Sequence, residues 1–111
     1  MSSSSTSSEG TDKLIAKASE LGAAVLREKT PRAARAYIGW IAELGPTIYQ
    51  PVPGTLEQAL DLAENDVLQA NLRPTDQIAN YSFFKNIAEI YGLDSRVASY
   101  SKEIGRLARS R

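Results

Sequence analysis

Glu57, Asp61 and Glu64 recur at i, i+4 and i+7, so a helix would place three carboxylates on one face. Such a set of oxygens could begin a site for a hard cation. A calcium-type loop also requires a glycine at its sharp turn and a second carboxylate cluster, and neither completes this segment. A solvated acidic face is therefore expected, with no bound metal and no cofactor.

The rest of the chemical inventory is thin. Histidine, the commonest general base and metal ligand, is absent. Cysteine is absent too, which excludes disulfides, thiolate nucleophiles and zinc–sulfur sites, and is compatible with any redox compartment. Six of the twelve serines gather in "MSSSSTSSEG", where nothing would hold a nucleophile, and without histidine no Ser–His–Asp triad can be assembled. The seven glycines are scattered singly, so no phosphate-binding loop is present. No enzyme activity and no small-molecule substrate are predicted.

Charge is balanced overall but uneven along the chain. Residues 11–45 carry six basic and four acidic side chains, residues 46–80 one and five, and residues 81–111 six and three. The acidic middle and the basic ends are either solvated helix faces or partners for each other or for another molecule. The last residues, "GRLARSR", could touch phosphates, yet they lack interleaved aromatics and the net charge is zero. No nucleic-acid partner is expected.

The elements that must carry these residues are helices. Residues 1–10 form a low-complexity Ser/Thr head without an apolar residue beyond the first methionine, and read as a disordered tail. The head has neither the basic n-region and apolar core of a secretory signal nor the arginines of a mitochondrial presequence. Residues 11–111 then read as one helical domain, with no uncharged apolar run approaching about 18 residues. The fold class predicted is all-α, with four to five amphipathic helices near 12–29, 31–45, 55–71, 75–92 and 94–109.

Each helix shows a stripe at helical spacing. Leu14, Ala18, Leu21 and Val25, with Ile15, Gly22 and Leu26 beside them, form the first. Ala34, Tyr37, Ile38, Ile41 and Leu44 form the second, with Trp40 to one side. The third is Leu56, Ala59, Leu60, Ala63, Val67 and Leu68; the fourth is Ile78, Tyr81, Phe84, Ile87, Ala88 and Tyr91. Val97, Tyr100 or Ser101, Ile104 and Leu107 mark the last.

Proline punctuates these stripes. Thr30 can cap a helix that opens at Pro31, after either a break or a kink, and Gly45-Pro46 ends it. "PTIYQPVPG" at 46–54 should then be an extended strap, because each proline fixes φ and disfavours helix before it. Thr55 and Gln58 match a capping box for the next helix. Thr75 or Asp76 is expected to cap the fourth helix, and the segment "LDS" the fifth.

Aromatic side chains are the remaining candidates for function. Trp40, Tyr37 and Tyr49 fall around the end of the second helix, and Tyr81, Phe83, Phe84 and Tyr91 along the fourth. Phe83 and Phe84 differ by roughly 100° around a helix, so a narrow stripe cannot bury both. Trp40, Tyr49, Phe83 and Phe84 are therefore candidate protein-binding residues, since aromatics concentrate in interface hot spots.

A run of short motifs adds a family resemblance: "LIAKAS" at 14–19, "YQPVPGTLEQA" at 49–59, "LRPTD" at 72–76 and "YSKEIGR" at 100–106. In order and spacing these resemble subunit g of the mitochondrial ATP synthase, a small protein beside the membrane sector that helps hold synthase dimers together. Members of that family end in a membrane helix carrying an aromatic, small residues, and a Glu-Ile before a glycine and a basic residue. Tyr100, Glu103, Ile104, Gly105 and Arg106 would occupy those places, which adds Gly105 to the protein-binding candidates. The chain departs from the family in carrying Asn80, Lys85, Glu89, Asp94 and Arg96 where a span would lie. Charges at bilayer depth cost several kcal/mol each. The resemblance thus implies a subunit without the span, peripheral to the mitochondrial inner membrane.

Two function classes follow from the sequence. One is a non-catalytic accessory subunit of a large assembly, an ATP synthase or respiratory complex, binding other protein subunits through helical faces. The other is a free-standing helical protein–protein adaptor in the cytoplasm.

Overall fold

The computed structural model describes residues 2–110, and their side chains from residue 10 onward. The reading of residues 1–10 as a disordered tail lies, Gly10 apart, outside the residues whose side chains are described. The fold is all-α. Its five helices are α1 (Ser2–Glu28), α2 (Pro31–Leu44), α3 (Pro53–Gln69), α4 (Pro74–Ile90) and α5 (Asp94–Arg109).

Proline sets three of the helix starts. Pro31, Pro53 and Pro74 each stand first in their helix, where a missing N–H leaves no bond unmade. Thr30 caps α2 as expected, its Oγ1 accepting the Ala33 N–H at 3.2 Å. The α1–α2 junction is a break rather than a kink, because Lys29 adopts φ 53 and turns the chain out of helix.

Elsewhere the starts lie closer to the prolines than the side-chain signals suggest. Helix α3 opens at Pro53, and Val52 O accepts the N–H groups of Thr55 at 2.9 Å and Leu56 at 3.2 Å. Thr55 therefore lies inside the first turn, 94% buried, and not at the cap. The positions before α4 and α5 are Arg73 and Leu93, neither with a capping side chain, in place of Thr75 or Asp76 and the polar residues of "LDS". Asp76 and Asp94 still contribute negative charge to the first turns, where the helix dipole favours it.

The connection after α2 is a turn followed by a short irregular piece. Gly45 takes φ 77, and its carbonyl accepts the N–H groups of Ile48 at 3.3 Å and Tyr49 at 3.0 Å. Within 46–54, residues 49–52 alone lie outside both turn and helix, so the strap is shorter than expected.

The chain divides into two compact units, Met1–Leu62 and Ala63–Arg111, where the sequence suggests one domain. The boundary falls inside α3, a continuous helix, so no linker composition marks it. In the first unit α1 packs on α2. Its buried residues include Ala18, Val25, Tyr37, Ile38, Ile41, Leu56 and Leu60, while Leu14 and Leu26 stay exposed at the edges of the α1 stripe. Gly22 lies buried in this contact. A Cβ there would lie 3.1 Å from the Tyr37 ring and 3.3 Å from the Thr55 methyl.

In the second unit α4 packs on α5. Tyr81, Phe84, Ile87 and Ala88 of α4 are buried, as are Tyr100 and Leu107 of α5 and Ala63 and Val67 of α3. Leu68, expected in the α3 stripe, is instead 67% exposed.

Candidate interaction surfaces

Glu64 is committed to α5: its Oε2 accepts Arg96 Nη1 at 2.6 Å and the Tyr100 hydroxyl at 2.5 Å. Arg96 also donates to the Tyr100 hydroxyl at 3.2 Å. Among the described residues, no group of three His, Cys, Asp or Glu side chains could hold a metal ion. The acidic middle and basic end of the sequence meet at this pair.

The cluster sits on aromatic packing. The Tyr100 ring lies 5.8 Å from Phe84 and 6.1 Å from Tyr81, and Tyr81 meets Phe84 edge-to-face at 5.9 Å. Burial raises the Tyr100 pKa well above its ordinary value, and the hydrogen bond to Glu64 raises it further, since a phenolate there would face a carboxylate. Burial also raises the Tyr81 pKa, with the charges of Glu103 and Glu64 adding to the effect. Both phenols are held protonated, and that of Tyr100 donates to Glu64. The chemistry is that of a structural tie, with a tyrosine and an arginine satisfying one partly buried carboxylate.

The predicted protein-binding residues divide into three groups. Phe84 is fully buried among Tyr81, Tyr100 and Phe83, so it is a core residue and not a contact for a partner. The tight α4–α5 packing selects Phe84 over its neighbour as the inward ring. Phe83 is the half-buried one, its ring 6.1 Å from Phe84.

Trp40 and Tyr49 are half-buried and engaged within the first unit. The Trp40 indole Nε1–H donates to Leu14 O at 3.0 Å, tying α2 to α1. The Tyr49 hydroxyl pairs with that of Tyr37 at 3.2 Å, and the two rings meet edge-to-face at 6.4 Å. Gly105 is half-buried on α5, and a Cβ there would meet only the end of the Arg109 side chain at 3.4 Å. Nothing within the chain requires glycine at that position.

The sequence reading missed part of the apolar surface. Leu26 is 47% exposed, Ile48 40% and Val52 66%, the last two within the connection that leads into α3. The signal was available in the three prolines, which keep that segment out of both helices and so out of either stripe. Among the described residues, no helix is long and apolar enough to cross a membrane. Comparison with protein-family models, curated proteins and solved structures finds no match to this chain.

Proposed function

We propose that the chain is a non-catalytic accessory subunit that binds neighbouring protein subunits. The observation that carries this reading is the apolar surface of the first unit. Leu14, Leu26, Ile48 and Val52 are left exposed at the surface of this unit. Ile48 and Val52 stand in the same connection between α2 and α3, and contiguous exposed apolar surface marks sites that another molecule covers. The resemblance to subunit g directs the search to the periphery of the mitochondrial inner membrane, in an ATP synthase or respiratory complex. Phe83 and Gly105, both half-buried, are the contacts it would offer from the second unit.

Crosslinking mass spectrometry on the chain purified from cells tests the reading. Recurrent crosslinks to subunits of one membrane complex are expected. Migration of the chain alone, with no reproducible neighbour, overturns it.

A second reading, a free-standing helical adaptor, draws support from the fully buried Tyr37 and Phe84, which give each unit an aromatic centre of its own. A compact, cooperatively melting monomer on size exclusion and circular dichroism would favour the adaptor over the subunit.

A further inference from the structure

Ser99 stands exposed on α5, three residues after Arg96 and three before Lys102. On a helix that spacing makes both cations neighbours of the Ser99 hydroxyl. Arg96 already has a task in the fold. Its Nη1 donates to Glu64 Oε2 at 2.6 Å and to the Tyr100 hydroxyl at 3.2 Å, and only 19% of its side chain is exposed. The acid one turn beyond Ser99 is Glu103, and the Arg106 Nε donates to it at 2.9 Å. A surface hydroxyl thus stands between two cations, one of which holds α3 against α5.

An anion added at that hydroxyl would compete with Glu64. We propose that Ser99 is a phosphorylation site, and that its phosphate draws Arg96 away from Glu64. In the segment Arg-Val-Ala-Ser at 96–99 an arginine precedes the acceptor by three residues, a charge pattern that a kinase with an acidic subsite reads. In the transfer, Ser99 Oγ attacks the γ-phosphorus of a nucleoside triphosphate, and the bond to the β–γ bridging oxygen breaks. The nucleoside diphosphate departs, and the hydroxyl proton passes to a carboxylate of the kinase. The product carries about −1.5 to −2 charge and three acceptor oxygens. A guanidinium meets phosphate through two parallel donors, and at the surface it recovers hydration that it gives up beside Glu64. Lys102 adds a second positive charge. The unmodified chain keeps the tie closed; the phosphorylated chain leaves Glu64 to the Tyr100 hydroxyl.

The test has two arms, both on the full chain. In the first, the chain is incubated with magnesium ATP and a kinase that requires arginine three residues before its serine. Mass spectrometry should place the phosphate on Ser99, and Ser99→Ala should abolish it. Absence of phosphate from Ser99 overturns the proposal. In the second, phosphoserine is encoded at position 99 or at Ser101, an exposed serine of α5 with no cation three or four residues away. Each chain is then compared with its Glu64→Gln variant by denaturant titration. In the unmodified chain and in the control with phosphoserine at 101, Glu64→Gln should lower the folding constant about tenfold, as loss of a charge-assisted bond does. With phosphoserine at 99 the tie is already open, so the same substitution should cost about threefold or less. An equal cost at both positions shows that Arg96 stays on Glu64 and overturns the proposal. Unfolding of the chain with phosphoserine at 99, read from circular dichroism while the control stays folded, overturns it as well, because release of one arginine leaves the aromatic packing of Tyr81, Phe84 and Tyr100 in place.

Discussion

Tyr100 and Glu64, which lie 36 residues apart, are joined by a hydrogen bond of 2.5 Å from the phenol to the carboxylate. Arg96 reaches the same carboxylate oxygen at 2.6 Å, so two donors from α5 converge on one acceptor from α3. Hydrogen bonds to charged groups contribute about 1.5–3 kcal/mol each. Tyr100→Phe and Glu64→Gln should each destabilise the chain, and the double variant should cost less than their sum. A coupling energy of about 0.5–3 kcal/mol is expected from denaturant titrations. Simple additivity would mean that the bond contributes nothing to stability.

The same phenol gives a pH dependence. Its folded pKa is raised above the ordinary 10.0, so the folded chain keeps a proton that the unfolded chain releases. That contribution is fully present below about pH 10 and is lost as pH rises further. Melting temperatures taken from pH 8 to pH 11 should fall at the alkaline end, and Tyr100→Phe should flatten the fall. An unchanged slope in the variant would assign the effect elsewhere.

A side chain at Gly22 would be tightly crowded. A Cβ would press on the Tyr37 ring at 3.1 Å, and that ring is fully buried and cannot give way cheaply. Gly22→Ala should lose about 1–3 kcal/mol despite the better helix propensity of alanine, as overpacked sites do. Chemical denaturation measures this directly, and a stabilised variant would show that α1 and α2 separate easily here.

Lys29 is the opposite case. It holds φ 53 at the end of α1, a conformation that costs a side chain about 1–2 kcal/mol and costs glycine little. Lys29→Gly should therefore raise the melting temperature, while Lys29→Val should lower it. If both variants melt alike, the left-handed turn carries no strain.

Gly105 separates the two functional readings. In the isolated chain Gly105→Ala should stabilise α5 by about 0.5–1 kcal/mol, since only the movable end of Arg109 lies near the added methyl. If a neighbouring subunit packs against this glycine, the same variant should weaken assembly. Stabilisation without any loss of assembly would remove Gly105 from the interface.

Phe83 and Phe84 should behave differently under the same change. Phe84→Ala empties a fully buried site and should cost about 3–5 kcal/mol of stability. Phe83→Ala should leave helical content nearly intact and weaken association by about 2 kcal/mol, as aromatic anchors do. Unfolding by Phe83→Ala, read from circular dichroism, would place that ring in the core as well.

The helices and most of their buried faces are local properties, and the sequence determined them by itself. Pro31 and Pro74 fix φ at a helix start wherever they occur, and Ala34, Tyr37, Ile38, Ile41 and Leu44 recur with the period of a helix whatever packs on them. The absence of histidine and cysteine likewise removed whole classes of chemistry before any fold was known. Tertiary structure decided what depends on a distant neighbour. Periodicity shows that Phe83 and Phe84 diverge, but only the packing of α4 on α5 decides which ring is covered. Thr55 carries a capping side chain, yet it lies buried against Gly22 of α1 within the first turn of α3, which opens at Pro53. Trp40 finds its acceptor on Leu14, 26 residues away, and Glu64 its partner on Arg96, 32 residues away. No local pattern encodes a bond across such distances, because its geometry exists only once the helices have packed.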